Sequence, residues 1–365
     1  MSTLNVNRIV DASGGVMAPI SSVFKNRIIN GAMVIDQRNA GASVTPTGSA
    51  FTLDRWAADM TQASKFSVEQ TIAGVAAPVG FTDYLGVTST SAYSVLTGDT
   101  FLIRQNIEGF NVADLGWGTA NAKTITLSFW VRSSLTGTFG GALVNGIATF
   151  RSYPFNYTIS AANTWEQKTI TIPGDTTGTW LTNNGVGVSI RFGLGSGSTF
   201  SGTAGAWVAN NLVQPTGSVS VVGTNGATWY ITGVQFEVGT QATSFEYRQY
   251  QQELALCQRY LFRLTSEGVL TSFGVGVISS STNLNRGYTQ FPVSMRAIPT
   301  LSTSNLRIYD GFAVPAVTSI SDNFSTSQVG SYQLVASGGG LTIGNAAILI
   351  EGTTGTPNLT FSAEL

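Results

Sequence analysis

Period-two alternation of apolar residues is the feature that most limits what this chain can become. In "KTITLSFWVR", Ile125, Leu127, Phe129 and Val131 fall on one face of an extended strand, and Thr124, Thr126, Ser128 and Trp130 on the other. "GVGVSIRF" repeats the pattern with Val186, Val188, Ile190 and Phe192 on one side. "TWEQKTITIP" ends at Pro173, where the turn "GDTTG" begins. One-sided alternation joined by turn-rich connections is the pattern of an antiparallel sandwich. Parallel βαβ units would need helices between the strands, and the sequence shows none there. In "WYITGVQFEV" the parity changes. Trp229 and Ile231 are apolar at odd positions, whereas Val234, Phe236 and Val238 are apolar at even ones. A one-residue bulge at Gly233 would keep both sets facing the core.

The next run, "TSFEYRQYQQELALCQRYLFR", departs from this period. Thr243 and Glu246 fit a capping box, and Tyr250, Leu254, Cys257 and Leu261 recur at helical spacing. The spacing predicts a helix over 244–263, with Leu256, Tyr260 and Phe262 widening its apolar surface. A helix apolar over so much of its girth needs cover on more than one side. It is expected to bridge two β domains or to pack around an assembly axis, with Leu254, Cys257 and Leu261 in the interface. From Leu264 to Leu365 strand signals resume, as in "GVLTSFGVGVI", "SYQLVAS" and "LTIGNAAILIEG". That length suits one small β-sandwich. At the other end, Leu4, Val6, Ile9 and Val10 have no domain of their own to pack into. Gly14, Gly15 and Pro19 break the segment after them into a turn and an extended stretch. Residues 1–24 are therefore expected to form an arm that docks on a partner.

Charge enters the argument through the strand edges. Charged residues make up 10% of the 365 positions, against about 25% in ordinary domains. No Asp, Glu, Lys or Arg occurs from Phe192 to Phe236, and Asp322 is the only one from Gly311 to Ile350. Monomeric β proteins guard exposed edges with charge, so these stretches point to cover by other chains of an assembly. The net charge of −1 gives no electrostatic footprint for nucleic acid. No stretch reaches ~18 apolar residues, so no membrane insertion is expected. The N-terminus has no basic segment leading into an apolar one, so no signal peptide is expected.

The chain has no His and a single Cys, Cys257. Ser-His-Asp and Cys-His catalysis and His/Cys zinc sites are thereby excluded. The nearest acidic pairs, Asp54 with Asp59 and Glu108 with Asp114, lie in no recognisable glycosidase context. Asp54 and Arg55 are expected to form a structural pair. No catalytic residue is assigned. The glycine-dense "GLGSGSTFSGTAG" lacks the Lys-Ser/Thr of a phosphate loop. Cys257 is expected to be a packed, inert thiol.

Several segments are familiar. "INGAMVIDQRNAG" with "FTLDRW", "WEQKTITIPGDTTGTW", "GVSIRFGLGSGSTFSGTAGAW" and "ITGVQFEVGTQATSFEYRQYQQELALCQRYL" resemble a module common in bacteriophage tail-fibre and other virion structural proteins. "FPVSMRAIPTL" resembles a segment that often comes after it in such fibres. The resemblance covers roughly residues 25 to 300. It implies a jelly-roll β-sandwich similar to carbohydrate-binding modules, closed by the helix. Beyond about residue 300 it covers nothing, and the second, smaller β-sandwich of this mostly β protein is expected from the strand signals of 264–365 alone. The expected layout is a virion-docking arm (1–24), the jelly roll (25–243), the bridging helix (244–263) and the C-terminal sandwich (264–365).

The resemblance further implies a virion-located appendage subunit, usually a homotrimer. Such a subunit joins other virion proteins and often recognises host-surface polysaccharide. Three other readings stay open: a purely structural head-fibre, neck or decoration protein, a free lectin-like module, and a polysaccharide depolymerase. For glycan binding the candidates are Trp130 on the polar face of its strand, Trp117 and Trp180 in loop-like sequence, and Trp207 between Gly/Ala/Asn stretches. Relatives often carry a structural Ca²⁺ between the first and last strands, for which Asn30 and Glu237 are the implied ligands. No other cofactor is implied.

Overall fold

The computed structural model describes residues 24–266, 272–352 and 356–365 (the side chains of 285 and 286 excepted) and the backbone at 9–10 and 16–17. Leu4 and Val6 lie outside the described residues. Ile9–Val10 (β1) pairs antiparallel with Val16–Met17 (β2). The chain divides into two compact units. The first runs to Arg248 and the second from Gln249 to Leu365, except that Ile35–Ala40 and Leu53–Arg55 belong to the second. No helix among the described residues is long and apolar enough to cross a membrane.

Two sheets build the first unit. One has six strands in the order β10 (Ser152–Ile159), β9 (Gly137–Asn145), β12 (Val186–Ser196), β7 (Thr100–Glu108), β4 (Trp56–Met60), β3 (Ala50–Leu53). The other has five: β11 (Glu166–Ile172), β8 (Ile125–Ser133), β15 (Thr228–Val238), β6 (Leu85–Ser89), β5 (Phe66–Gln70). From β7 the chain crosses to β8, returns for β9 and β10, crosses for β11, returns for β12 and crosses for β15. That is the path of a jelly roll.

The alternating faces supply its core. Ile125, Leu127, Phe129 and Val131 are all fully buried, as are Val188, Ile190 and Phe192. Phe129 on one sheet meets Phe192 and Tyr157 on the other edge-on, each with ring centroids 5.1 Å apart. Burying each such ring contributes roughly 1.5–3 kcal/mol. Pairing of β15 with β8 slips by one residue between Thr232 and Gln235, and Gly233 has φ +61°. The bulge therefore stands where the parity change placed it, and Trp229, Ile231, Val234 and Phe236 are all fully buried. Val238, the last strand residue, escapes the core and is 42% exposed.

After β12 the chain lays two short parallel strands, β13 (Ser201–Gly202) and β14 (Gln214–Pro215). They lie over the six-stranded sheet where that sheet has no side chains. A Cβ on Gly140 would stand 2.3 Å from Pro215 Cδ, and one on Gly193 1.9 Å from Gln214 Oε1.

Among its described residues the second unit contains one helix, α1 (Tyr250–Gln258). A three-stranded sheet runs β16 (Leu261–Thr265), β24 (Asn358–Ser362), β19 (Thr300–Ser304). A six-stranded sheet runs β20 (Leu306–Tyr309), β23 (Ala346–Glu351), β17 (Ser272–Ser280), β18 (Asn283–Gln290), β22 (Val329–Ala336), β21 (Val317–Asp322). Phe273, Phe291, Tyr332, Leu334, Leu349 and Phe361 belong to their shared core.

The helix is shorter than its sequence pattern at both ends. Its N-cap is Gln249, which makes no side-chain cap bond. Glu246 instead accepts the backbone N–H groups of Phe24 and Asn26, each at 2.7 Å, and the Thr243 hydroxyl goes to Glu237 at 2.7 Å. At the other end Leu261 is a strand residue paired with Ser362. Cys257 and Leu261 are buried, Leu254 is half-buried and Tyr250 is exposed. Leu261 therefore leaves the helical face, and burial along the other three rises from exposed Tyr250 to buried Cys257.

Candidate functional site

Strand register fixes which loops meet at one end of the first unit. Val186 at the start of β12 lies opposite Glu108 at the end of β7, and Ile172 at the end of β11 opposite Ile125 at the start of β8. The β7–β8 and β11–β12 loops therefore leave the sandwich at the same end. The first carries Trp117 after two 3-10 turns, Gly109–Asn111 and Ala113–Leu115. Gly116 ends the second turn at φ +63°, a left-handed conformation that glycine adopts without cost. The β11–β12 loop carries Trp180, and Trp207 reaches the same place from the segment between β13 and β14.

The three indoles touch pairwise. Ring centroids are 4.8 Å apart for Trp117–Trp180, 5.3 Å for Trp117–Trp207 and 5.3 Å for Trp180–Trp207. Their interplanar angles of 76°, 71° and 82° are the edge-to-face arrangement that ring quadrupoles favour. Trp117 is buried and edges onto Phe236 of the core at 6.2 Å; Trp180 and Trp207 are half-buried. Tyr153 of β10 extends the cluster, 5.3 Å from Trp207. Each indole N–H has a backbone acceptor: Lys123 O at 2.8 Å for Trp117, Thr177 O at 3.2 Å for Trp180, Pro173 O at 2.7 Å for Trp207. With rings nearly perpendicular, no two form one flat platform, so each offers a face or an edge singly.

An ion pair fastens the Trp180 loop. Arg151 grips Asp175 through Nε at 2.7 Å and Nη2 at 2.9 Å. The Asp175 carbonyl accepts Gly118 N–H at 2.7 Å, tying the two tryptophan loops together. Burial pushes the Asp175 carboxyl up, but the Arg151 and Thr177 donors outweigh it and hold the group below its usual value. A cavity of about 160 Å³ opens beside Trp117 and Trp180. Its floor of Val112, Leu115 and Val188 is buried, and Ala113, Thr119 and Thr182 on its rim are exposed. No lining residue is ionisable.

Trp130 stands apart from this cluster. It lies on the outer face of the five-stranded sheet, opposite Gln167 and Thr232. That sheet also carries an aromatic group that sequence reasoning did not find. Trp165 packs on Tyr84 at 5.3 Å, and Tyr84 on Tyr230 at 5.2 Å. The three residues come from distant segments and no local pattern links them.

The remaining candidates have protein partners. The Glu237 carboxylate accepts Thr243 N at 2.8 Å, Thr243 Oγ1 at 2.7 Å and Gln235 Nε2 at 2.8 Å. Asn30 sits at φ +57°, with its carbonyl accepting Trp56 Nε1 at 3.0 Å. A Ca²⁺ held by Glu237 would have to displace those donors. Among the described residues no group of three or more His, Cys, Asp or Glu could hold a metal. Asp59 pairs with Arg104, and Asp114 with Arg27 at 2.8 Å. Asp54 accepts two bonds from Gln37, and Arg55 pairs with Glu364.

No protein-family model matches the chain, and no curated protein matches it. Among solved structures it is similar to the enzymatically active domain of tailspike protein 4 of bacteriophage CBA120. That likeness has 12% identity and a TM-score of 0.32, and covers 59% of this chain and 22% of that one. A family 11 carbohydrate-binding module from Clostridium thermocellum, in complex with a β-1,3-1,4-mixed-linked tetrasaccharide, is similar at 15% identity and a TM-score of 0.27. It covers 55% of this chain and 100% of that one. The N-terminal CBM22-1–CBM22-2 tandem domain of Paenibacillus barcinonensis Xyn10C is similar at 9% identity and a TM-score of 0.29, covering 90% and 100%. The chain thus spans about a fifth of the tailspike domain's length, 22%.

Proposed function

We propose that the protein is a subunit of a phage virion appendage, a tail fibre or a similar structure, and that it recognises host-surface glycan by binding without turnover. The tryptophan cluster carries this reading. It places two half-buried indoles and an open neutral pocket on loops at one end of a rigid sandwich, the setting in which recognition residues concentrate. Sugar rings expose C–H faces that pack on aromatic faces, and loops pinned by Arg151 and Asp175 hold those faces ready. The virion setting rests on the motif resemblance. Binding rather than turnover rests on the absence of His and on carboxylates engaged by arginines. The same reading makes the protein a homotrimer that joins other virion proteins through residues 1–24.

Two experiments test it. Trp180→Ala and Trp207→Ala should each weaken binding to host polysaccharide at least tenfold in a glycan array or by calorimetry, with the fold kept by circular dichroism. Wild-type protein that retains no glycan, or variants that bind as well as wild type, would overturn the recognition role. Deleting residues 1–24 should leave both units folded and abolish incorporation into particles; normal incorporation removes the arm from the scheme.

One observation favours a second reading. All three indole N–H groups are spent on loop carbonyls, as expected of rings that only fasten loops in a structural head-fibre, neck or decoration protein. In that case Trp180→Ala and Trp207→Ala lower the melting temperature and have no glycan binding to lose.

A further inference from the structure

The cavity beside Trp117 and Trp180 is small, neutral and apolar below its rim, and these properties select what enters it. Its volume of about 160 Å³ is well above the ~15 Å³ that admits one water, so a substituent of several heavy atoms enters it. A single methyl leaves most of that space empty. With no ionisable residue in the lining, a carboxylate, phosphate or ammonium would lose its hydration there without a partner. Val112, Leu115 and Val188 floor the cavity, with Trp117 and Trp180 as walls. On the exposed rim, among the described residues, the Thr182 hydroxyl makes no hydrogen bond within the protein.

We propose that this cavity takes the acetyl group of an N-acetylated sugar. The methyl rests on the apolar floor, the amide reaches the Thr182 hydroxyl, and the sugar ring stays outside against the half-buried indoles. The proposal rests on the glycan reading above and narrows it to saccharides bearing neutral acetamido groups. An O-acetyl group shares the acetyl chemistry but lacks the N–H, and a 6-deoxy sugar offers only a methyl.

The test uses the full chain, titrated calorimetrically with chitotriose, its de-N-acetylated counterpart and cellotriose. Chitotriose is expected to bind at least tenfold more tightly than the other two. Its acetyl methyl protons should show the strongest saturation transfer from the protein. Thr182→Val keeps the shape of the rim and removes the hydroxyl; it should weaken chitotriose severalfold and leave cellotriose unchanged. Ala113→Phe plugs the exposed rim and should abolish the preference for the acetylated ligand. N-methylacetamide alone should shift the Trp180 indole N–H resonance; no shift overturns the pocket assignment even if a rim variant fails to fold. Equal affinity for chitotriose and cellotriose, both lost in Trp207→Ala, would overturn the acetyl pocket and leave glycan recognition standing. A rhamnose- or O-acetyl-bearing saccharide binding more tightly than chitotriose would overturn the acetamido assignment. No binding of any saccharide overturns both.

Discussion

Asp54 and Arg55 show how two adjacent residues of one motif take different partners within the second unit. The Asp54 carboxylate accepts Gln37 N at 2.6 Å and Gln37 Nε2 at 2.8 Å. Burial raises its pKa to about 7, outweighing Arg38 and the Gln37 donors. Between its unfolded value, near 3.8, and about 7, the folded state keeps a proton that the unfolded chain has released. The contribution to stability therefore falls as pH rises through that window and is level above it, a change on the order of 4 kcal/mol. Asp54→Asn should flatten this slope, read as the wild-type-minus-variant melting temperature of the second unit from pH 4 to 8; a pH-independent difference contradicts it. Arg55 lies 3.6 Å over the Tyr260 ring and pairs with Glu364, which also binds Arg38 at 2.6 Å. The Arg55 and Glu364 side chains are only 1% and 7% exposed. Glu364→Gln should cost roughly 3 kcal/mol or more, because it removes the carboxylate that pairs with both the buried Arg55 and Arg38; denaturant unfolding measures it.

At the scale of elements, the bulge and the helix make opposite demands on their residues. Gly233 combines φ +61° with a hypothetical Cβ only 2.6 Å from Phe81 Cζ. An L-residue there carries about 1–2 kcal/mol of backbone strain before any clash. Gly233→Ala should therefore destabilise the first unit by about 2 kcal/mol or more in equilibrium unfolding. A neutral result would mean that the backbone relaxes out of the left-handed region. In α1 the decisive position is Cys257, fully buried, with a thiol pushed well above its usual pKa by burial first and by Asp54 and Glu253 next. It should resist thiol reagents in the native state and react on unfolding. Asp at position 257 should destabilise far more than Asp at half-buried Leu254, since an unpaired charge is tolerated only where water reaches it.

For the whole molecule, the scarcity of charge has two separate explanations. The stretch Phe192–Phe236 contributes to β12 and β15, which are interior strands: β12 lies between β9 and β7, and β15 between β8 and β6. Their edges are satisfied within one chain, so no neighbour is needed there. The second unit differs. Tyr309, Ile348, Val275 and Tyr288 line up in register across β20, β23, β17 and β18. They are 39%, 37%, 58% and 51% exposed, an apolar stripe on the outer face of the sheet. In the proposed homotrimer this stripe is the contact between copies. Val275→Lys should then lower the mass by light scattering and keep the circular dichroism spectrum. Leu341→Lys, in the core of the same unit, should unfold it. An unchanged mass in Val275→Lys would take the stripe out of the assembly.

The sequence by itself determined the elements whose physics is local. The faces of β8 and β12 and the bulge at Gly233 result from a side-chain period of two, which holds wherever a strand lies in the molecule. Loop-like composition likewise picked out Trp117, Trp180 and Trp207. Tertiary structure decided what depends on partners distant in sequence. The helix stops at Gln258 because Leu261 pairs with Ser362, and it starts late because Glu246 serves the backbone of Phe24 and Asn26. Trp117, Trp180 and Trp207 meet, while Trp130 does not join them, because strand register sends their loops to one end of the sandwich. Trp165, Tyr84 and Tyr230 escaped notice for the same reason. Periodicity records which face of an element is buried, whereas contacts between elements depend on register and crossing, which no local stretch encodes.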